Sequence, residues 1–245
     1  MKKKMYDLTN PQKSIWLTEQ YYKGTAINTL CGTVLIKSEI NFDILKEAIN
    51  VFIKNNDAFR LHIILDSDSI PKQYVTDFTP LNWDIVNLKN SDELNNLEQE
   101  MIKGPFNVID SNLYDIKVFR FSNQSGGFIV KAHHIICDAC TAGLIASKIM
   151  EIYSSLLKDT TEEFTGNSYL TFVNSEKEYL QSDKFANDKE FWDSKFDTIS
   201  EFGTISTVKS ITDNSPIAAR DNFVIDSELV DKINDYCKQN RISIF

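Results

Sequence analysis

The stretch KAHHIICDACTAG, Lys131 to Gly143, sits between two kinds of sequence. Ahead of it, FIVKAH (128–133) reads as an apolar strand. Behind it, Ile145, Ile149, Ile152, Tyr153 and Leu156 recur at helical spacing and predict a helix over roughly 139–157. A strand that turns directly into a helix, in a chain where the two alternate, points to the mixed α/β class. The junction also gathers two of the three histidines, an aspartate four residues after the second, and two cysteines spaced C-x-x-C. Metal site, redox pair, acid–base catalyst and ordinary core are the readings this composition allows.

Geometry narrows them. Adjacent strand residues face opposite ways, so His133 and His134 do not share one cavity, and one is free for chemistry while the other packs or hydrogen-bonds. Imidazole, with an ordinary pKa of ~6.5, is the side chain best suited to moving protons at neutral pH. Asp138 stands where a helix N-cap is expected. For zinc, Cys137, Cys140 and one histidine make three ligands, but a fourth is hard to find: His62 is the only other histidine and no second C-x-x-C exists. For redox work, Asp-Ala lies between the cysteines and the surrounding topology is not thioredoxin-like. The two thiols therefore read as small apolar side chains at a strand–helix junction, and no metal is expected.

Working outward, Thr9-Asn10-Pro11-Gln12 has the form of a capping box with proline in the first turn, predicting a helix that carries Ile15, Trp16 and Leu17 inward. LCGTVLIK (30–37) reads as a strand. Leu45, Ala48, Ile49, Phe52 and Ile53 mark an amphipathic helix after Asn41, and FRLHIIL (59–65) reads as a strand. A helix over 92–102 should end at Gly104-Pro105. YDIKVFRF (114–121) and FIVKAH flank the turn-forming SNQSGG, predicting a hairpin. KDTTEEFTGNS (158–168) is a loop and a candidate boundary. Residues 170–198 read as helical, NFVI (222–225) as a strand, and a last helix should begin near Asp226. That helix keeps its apolar pattern to Cys237, yet the chain stops at RISIF with no closing element, which reads as a truncated chain.

The 245 residues, 42% of them hydrophobic with 16 Phe and 9 Tyr, suffice for a large core. A net charge of −9 counts against nucleic-acid binding, which needs clustered Lys and Arg. No apolar stretch approaches the ~20 residues of a membrane helix. KKKMYDLTNPQ turns polar at once, unlike a signal peptide, so a cytoplasmic protein with reduced thiols is expected.

HHIICDA resembles the His-His-x-x-x-Asp-Gly motif of nonribosomal peptide synthetase condensation domains, within the chloramphenicol-acetyltransferase-like superfamily. Four further segments match that family in order. LTNPQKSIWLTEQYY (8–22) resembles its opening Ser-x-Ala-Gln-x-Arg-x-Trp segment, and NNDAFRLHI (55–63) its Arg-His-Glu-x-Leu-Arg segment. GPFNVIDSNLYDIKVFRF (104–121) resembles its Pro-Phe-Asp stretch, and KEFWDSKF (189–196) its Phe-Trp helix. The detail is most similar to starter condensation domains of bacterial lipopeptide synthetases. Met1 lies only a few residues before the first motif, which suits a chain-initiating position. Departures are Ala139 for the motif glycine, expected to crowd the turn slightly, Asn55 for the first arginine of the second segment, and Ser14 for the arginine of the opening one.

The resemblance implies amide formation between a donor acyl thioester, such as a 3-hydroxy fatty acyl-CoA, and the amine of a carrier-bound aminoacyl thioester. It makes His134 the catalytic residue, His133 a positioning residue, and Asp138 a structural one paired with Arg60. No bound cofactor is implied. Substrates arrive on phosphopantetheine carriers or acyl-CoA, and the partners are a peptidyl carrier protein domain, the adenylation domain of the same synthetase, and an acyl-CoA or acyl-carrier donor. Residues 1–165 would form the lobe that carries the histidines, and 166–245 the crossover and start of the second lobe, so the fragment alone is expected to be inactive. Rival readings on the same fold are a free-standing CoA-dependent acyltransferase, an epimerization domain, and a non-catalytic domain that only docks carriers.

Overall fold

The computed structural model describes residues 4–121, 125–160, 164, 166, 168–196, 198 and 223–244. A short strand β1 (Tyr6–Asp7) leads into helix α1 (Asn10–Tyr21). The expected capping box closes there: Thr9 caps the Gln12 N–H, and the Gln12 side chain accepts from the Thr9 N–H at 3.0 Å. Strand β2 (Thr29–Ile36) follows, then α2 (Phe42–Asn55), a 3₁₀ turn (Asp57–Arg60), β3 (Leu61–Leu65), β4 (Pro71–Val75), β5 (Ile85–Leu88) and α3 (Ser91–Lys103). The hairpin strands are β6 (Tyr114–Phe121) and β7 (Gly126–His133), and α4 spans Ala139–Leu157. Helices α5 (Tyr169–Leu180) and α6 (Asp183–Lys195) complete the first compact unit, which runs to Ile205.

The central sheet has the order β2-β7-β6-β5, antiparallel except for the parallel β6–β5 pair. Alternation along its strands assigns the two faces. Val34, Ile116, Val118 and Phe128 meet α2 and α4 through Leu45, Ile49, Phe52, Ile145 and Ile149. Phe119 and Ile129 point the other way, to Leu94 and Met101 of α3. A smaller sheet, β1-β4-β3, packs with the end of β7 around Leu61, Ile63 and Leu113. Gly126 is set by close approach, since a Cβ there would lie 2.2 Å from the Phe119 carbonyl oxygen on the paired strand. The mixed sheet covered by helices is the α/β architecture expected.

Several expectations are corrected. Residues 170–198 are helical as expected as far as Lys195, but as two helices: the chain breaks at Gln181–Ser182, where Ser182 caps a new helix through the Phe185 N–H. Phe59 and Arg60 belong to the 3₁₀ turn rather than to the strand. Leu17 is 68% exposed, so only Ile15 and Trp16 of that trio pack inward. Of NFVI, residues 223–225 are in no strand, while 222 lies outside the described residues, as do 122–124 of SNQSGG and parts of 158–168.

The second unit, 206–245, is described only through α7 (Ser227–Asn240) and its flanks. Asp226 caps this helix through the Leu229 N–H, and Arg241 ends it in a left-handed conformation (φ 54°).

Candidate active site

At the end of β7 the two histidines part as the strand geometry requires. His133 is buried, at 1% exposure, with its ring edge-on to Phe106 at 5.8 Å. Its Nδ1 accepts the Ile135 backbone N–H at 3.1 Å, so the proton sits on Nε2, which donates to Glu19 Oε2 at 3.2 Å. Burial pushes its pKa down, against the opposing pull of the Glu19 carboxylate.

His134 is half-buried in the turn that follows. Its backbone N–H donates to the Asn28 carbonyl at 2.7 Å. Its Nδ1 lies 2.8 Å from the Cys137 carbonyl oxygen, which only accepts, so Nδ1 carries a proton. The neutral ring therefore keeps its lone pair on Nε2, for which the described residues offer no hydrogen-bond partner. The adjacent histidines are held in opposite tautomers, one by a backbone donor and the other by a backbone acceptor.

Helix α1 supports both. Gln12, buried at 2%, exchanges two amide hydrogen bonds with Gln73 of β4 at 2.9 and 2.8 Å, and it reaches the Ile135 carbonyl at 3.3 Å. Glu19, two turns on, binds His133 and accepts from the Asn28 side-chain amide at 2.8 Å. Neither Glu19 nor Asn28 stands out in sequence analysis. The signal was there: Gln12, Trp16 and Glu19 share one helical face, and two polar residues on an inward face demand partners.

Asp138 is placed as a cap and not as a buried ion. It is exposed, and its Oδ1 accepts the Thr141 backbone N–H and hydroxyl, each at 2.7 Å. Those bonds hold its carboxyl below the usual range. The expected pair with Arg60 is not formed. Arg60 instead donates to the Thr76 carbonyl at 2.8 Å and the Lys54 carbonyl at 3.2 Å, joining the end of α2 to the edge of β4. The reason is burial: an exposed cap with two donors needs no cation. Ala139 opens α4 in ordinary helical backbone, so a Cβ fits where the motif has glycine.

The two motif cysteines differ in setting. Cys137 is buried, its thiol 3.6 Å from the His133 carbonyl and pushed up to about 12 by burial, whereas Cys140 is exposed. On the α4 side of the sheet lies an apolar cavity of about 290 Å³ between β2, β7 and α4. Cys137 and Ala139, which flank the turn bearing His134, form part of its wall, together with Gly32, Val130, Ala142 and Ala146. No helix among the described residues is long and apolar enough to cross a membrane.

The family model described as Condensation domain matches residues 2–245. The chain is 31% identical over 248 residues to Surfactin synthase subunit 1 of Bacillus subtilis (strain 168), covering 98% of this chain and 7% of that protein. It is 28% identical over 247 residues to one of the plipastatin synthase subunits of the same organism, covering 100% and 10%. The starter condensation domain of rhizomide synthetase, solved as a double mutant, matches with TM-score 0.73 and 25% identity over 82% of this chain and 50% of that one. A further mutant of that domain, in complex with C8-CoA and Leu-SNAC, gives TM-score 0.74 and 23% identity over 84% and 48%. The chain thus spans a tenth or less of these curated relatives and about half of the solved chains.

Proposed function

Because the chain belongs to the condensation-domain family, we propose that it contributes the histidine-bearing part of a catalyst joining an acyl thioester to the amine of a carrier-bound aminoacyl thioester. One observation carries this reading: the Cys137 carbonyl holds the His134 Nδ1–H, which leaves Nε2 as a base in a half-buried turn. An amine nucleophile needs such a group. As nitrogen adds to the thioester carbonyl, the oxygen gains negative charge and the nitrogen positive charge. Nε2 takes the proton from nitrogen, the C–S bond breaks, and the same proton passes to the departing thiolate. General acid–base help of this kind contributes ~10²–10⁴-fold. Holding two tethered substrates in line adds its own effect.

The donor in this reading is a fatty acyl-CoA, with a 3-hydroxyacyl chain included. Its support is the apolar cavity beside the turn and the C8-CoA held by the related starter domain. The acceptor arrives on the phosphopantetheine arm of a peptidyl carrier protein, loaded by an adenylation domain. Within the proposal, His133 positions, Asp138 caps α4, Arg60 braces α2 against β4, residues 1–165 form one lobe, and 166–245 lead into a second.

The test is incubation of the full-length protein with octanoyl-CoA and an aminoacyl-loaded carrier, followed by mass spectrometry of the carrier. An N-octanoyl aminoacyl adduct is expected. A carrier that stays unacylated with octanoyl and longer or 3-hydroxylated donors would contradict the reading.

A further inference from the structure

We propose that Glu19 is the positioning residue of this site: from α1, its carboxylate grips His133 and Asn28 together and thereby fixes the tautomer and aim of His134. The starting observation is a buried carboxyl side chain whose hydrogen-bond partners are an amide and an imidazole rather than a lysine or arginine. Glu19 is 6% exposed, and its contacts are the Asn28 side-chain amide at 2.8 Å and His133 Nε2 at 3.2 Å, both to the same oxygen, Oε2. Burying a carboxylate is costly unless it is well bonded, so its retention at this place asks for a reason.

The two groups it holds frame His134 from both sides. Asn28 presents its own backbone carbonyl to the His134 N–H at 2.7 Å, and its side chain is what Glu19 holds. His133 precedes His134 directly. With Nε2–H committed to Glu19, His133 Nδ1 is obliged to be an acceptor, and it receives the Ile135 N–H at 3.1 Å. That bond, with Ile136 N–H to the His133 carbonyl at 3.0 Å, shapes the turn that brings the Cys137 carbonyl to His134 Nδ1. Gln12, on the same face of α1, holds the Ile135 carbonyl of the same turn at 3.3 Å. Without Glu19, His133 is free to move its proton to Nδ1. It would then lose the Ile135 bond, and the Cys137 carbonyl would lose its set position.

The inference rests on reading His134 as the base, but its first readout does not require turnover. In the full-length protein, long-range ¹⁵N–¹H imidazole spectra, assigned with His62→Gln and His133→Gln variants, report which nitrogen of each ring is protonated. Wild-type protein should show His133 protonated on Nε2 and His134 on Nδ1. Glu19→Gln, which keeps an acceptor oxygen, should preserve both tautomers. Glu19→Ala should show His134 divided between tautomers. With octanoyl-CoA and an aminoacyl-loaded carrier, kcat should then fall by up to about 10²-fold, the cost of a misplaced reacting group, while KM for the acyl donor holds. The reverse tautomer in the wild type overturns the proposal, as does an intact His134 tautomer in Glu19→Ala. Equal loss of the tautomer in Glu19→Gln and Glu19→Ala also overturns it. Where Glu19→Ala does not fold, a reversed tautomer in the wild type or a changed His134 tautomer in Glu19→Gln overturns the proposal by itself.

Discussion

Asp138 and His133 occupy the same motif but meet water differently, and their variants should behave differently. Asp138 is an exposed cap, so Asp138→Ala should cost about 1 kcal/mol of stability, the usual effect of losing an N-cap side chain. That is less than the ~3–5 kcal/mol expected for breaking a buried ion pair. Denaturant midpoints of the two proteins check this, and a loss above about 3 kcal/mol would restore the buried-pair view. Because its carboxyl lies below the usual range when folded, the cap's contribution is full above pH ~3.9 and fades as pH falls through the lower, folded value. His134 is the opposite case. Its sequence neighbours raised the expectation of an acid–base role, yet the nitrogen proposed for that role could not be read from them, because it depends on where the Cys137 carbonyl lands after a four-residue turn. Arg60 was misjudged for a similar reason: nothing in one sequence says that Lys54 and Thr76 offer it carbonyls first.

At the scale of elements, α4 carries both the cap and the wall of the apolar cavity. Ala142 and Ala146, one turn apart on α4, line it together with Gly32 of β2 and Val130 of β7. Ala142→Phe should fill this space and shift the donor preference toward shorter acyl chains, measured by competing acetyl-, butyryl- and octanoyl-CoA in one reaction. An unchanged product ratio would place the acyl chain elsewhere. In the hairpin, Gly126→Ala should cost ~1–3 kcal/mol, as overpacking typically does, since its Cβ meets the Phe119 carbonyl. Urea unfolding reads that change. Helix α4 was legible because a cap and a clean apolar period coincide at Asp138 and Ile145. The break between α5 and α6 was not, because Gln181-Ser182 contains neither glycine nor proline and Ser182 caps with a bond any surface serine can make. Strands β4 and β5 escaped notice for a related reason. PKQYV is mostly polar, and IVNL is too short to show a period. The inward polar face of α1 was visible in principle, but it became interpretable only once Gln73, Asn28 and His133 stood opposite it.

For the molecule as a whole, the buried imidazole of His133 ties stability to pH. Burial lowers its folded pKa, so the unfolded chain binds more protons near neutrality. Stability is therefore full above about 6.5 and declines as pH falls through that value, by up to about 1.4 kcal/mol per pH unit until the folded pKa is reached. Chemical unfolding at pH 7.5 and 5.5 should show this slope in wild type and in His62→Gln; a flat profile would mean that folding leaves the His133 pKa unshifted, and a slope of opposite sign that His133 is charged when folded. The site is assembled from distant parts of the chain, α1, β2, β7 and the turn before α4, which makes the fold and the chemistry one problem. The central claim, that His134 Nε2 moves the proton in amide formation, is tested most directly by single-turnover N-acylation in the full-length protein at saturating donor and loaded carrier. His134→Gln should slow that step by ~10²–10⁴-fold with donor binding intact. A rate within a few-fold of wild type would contradict it.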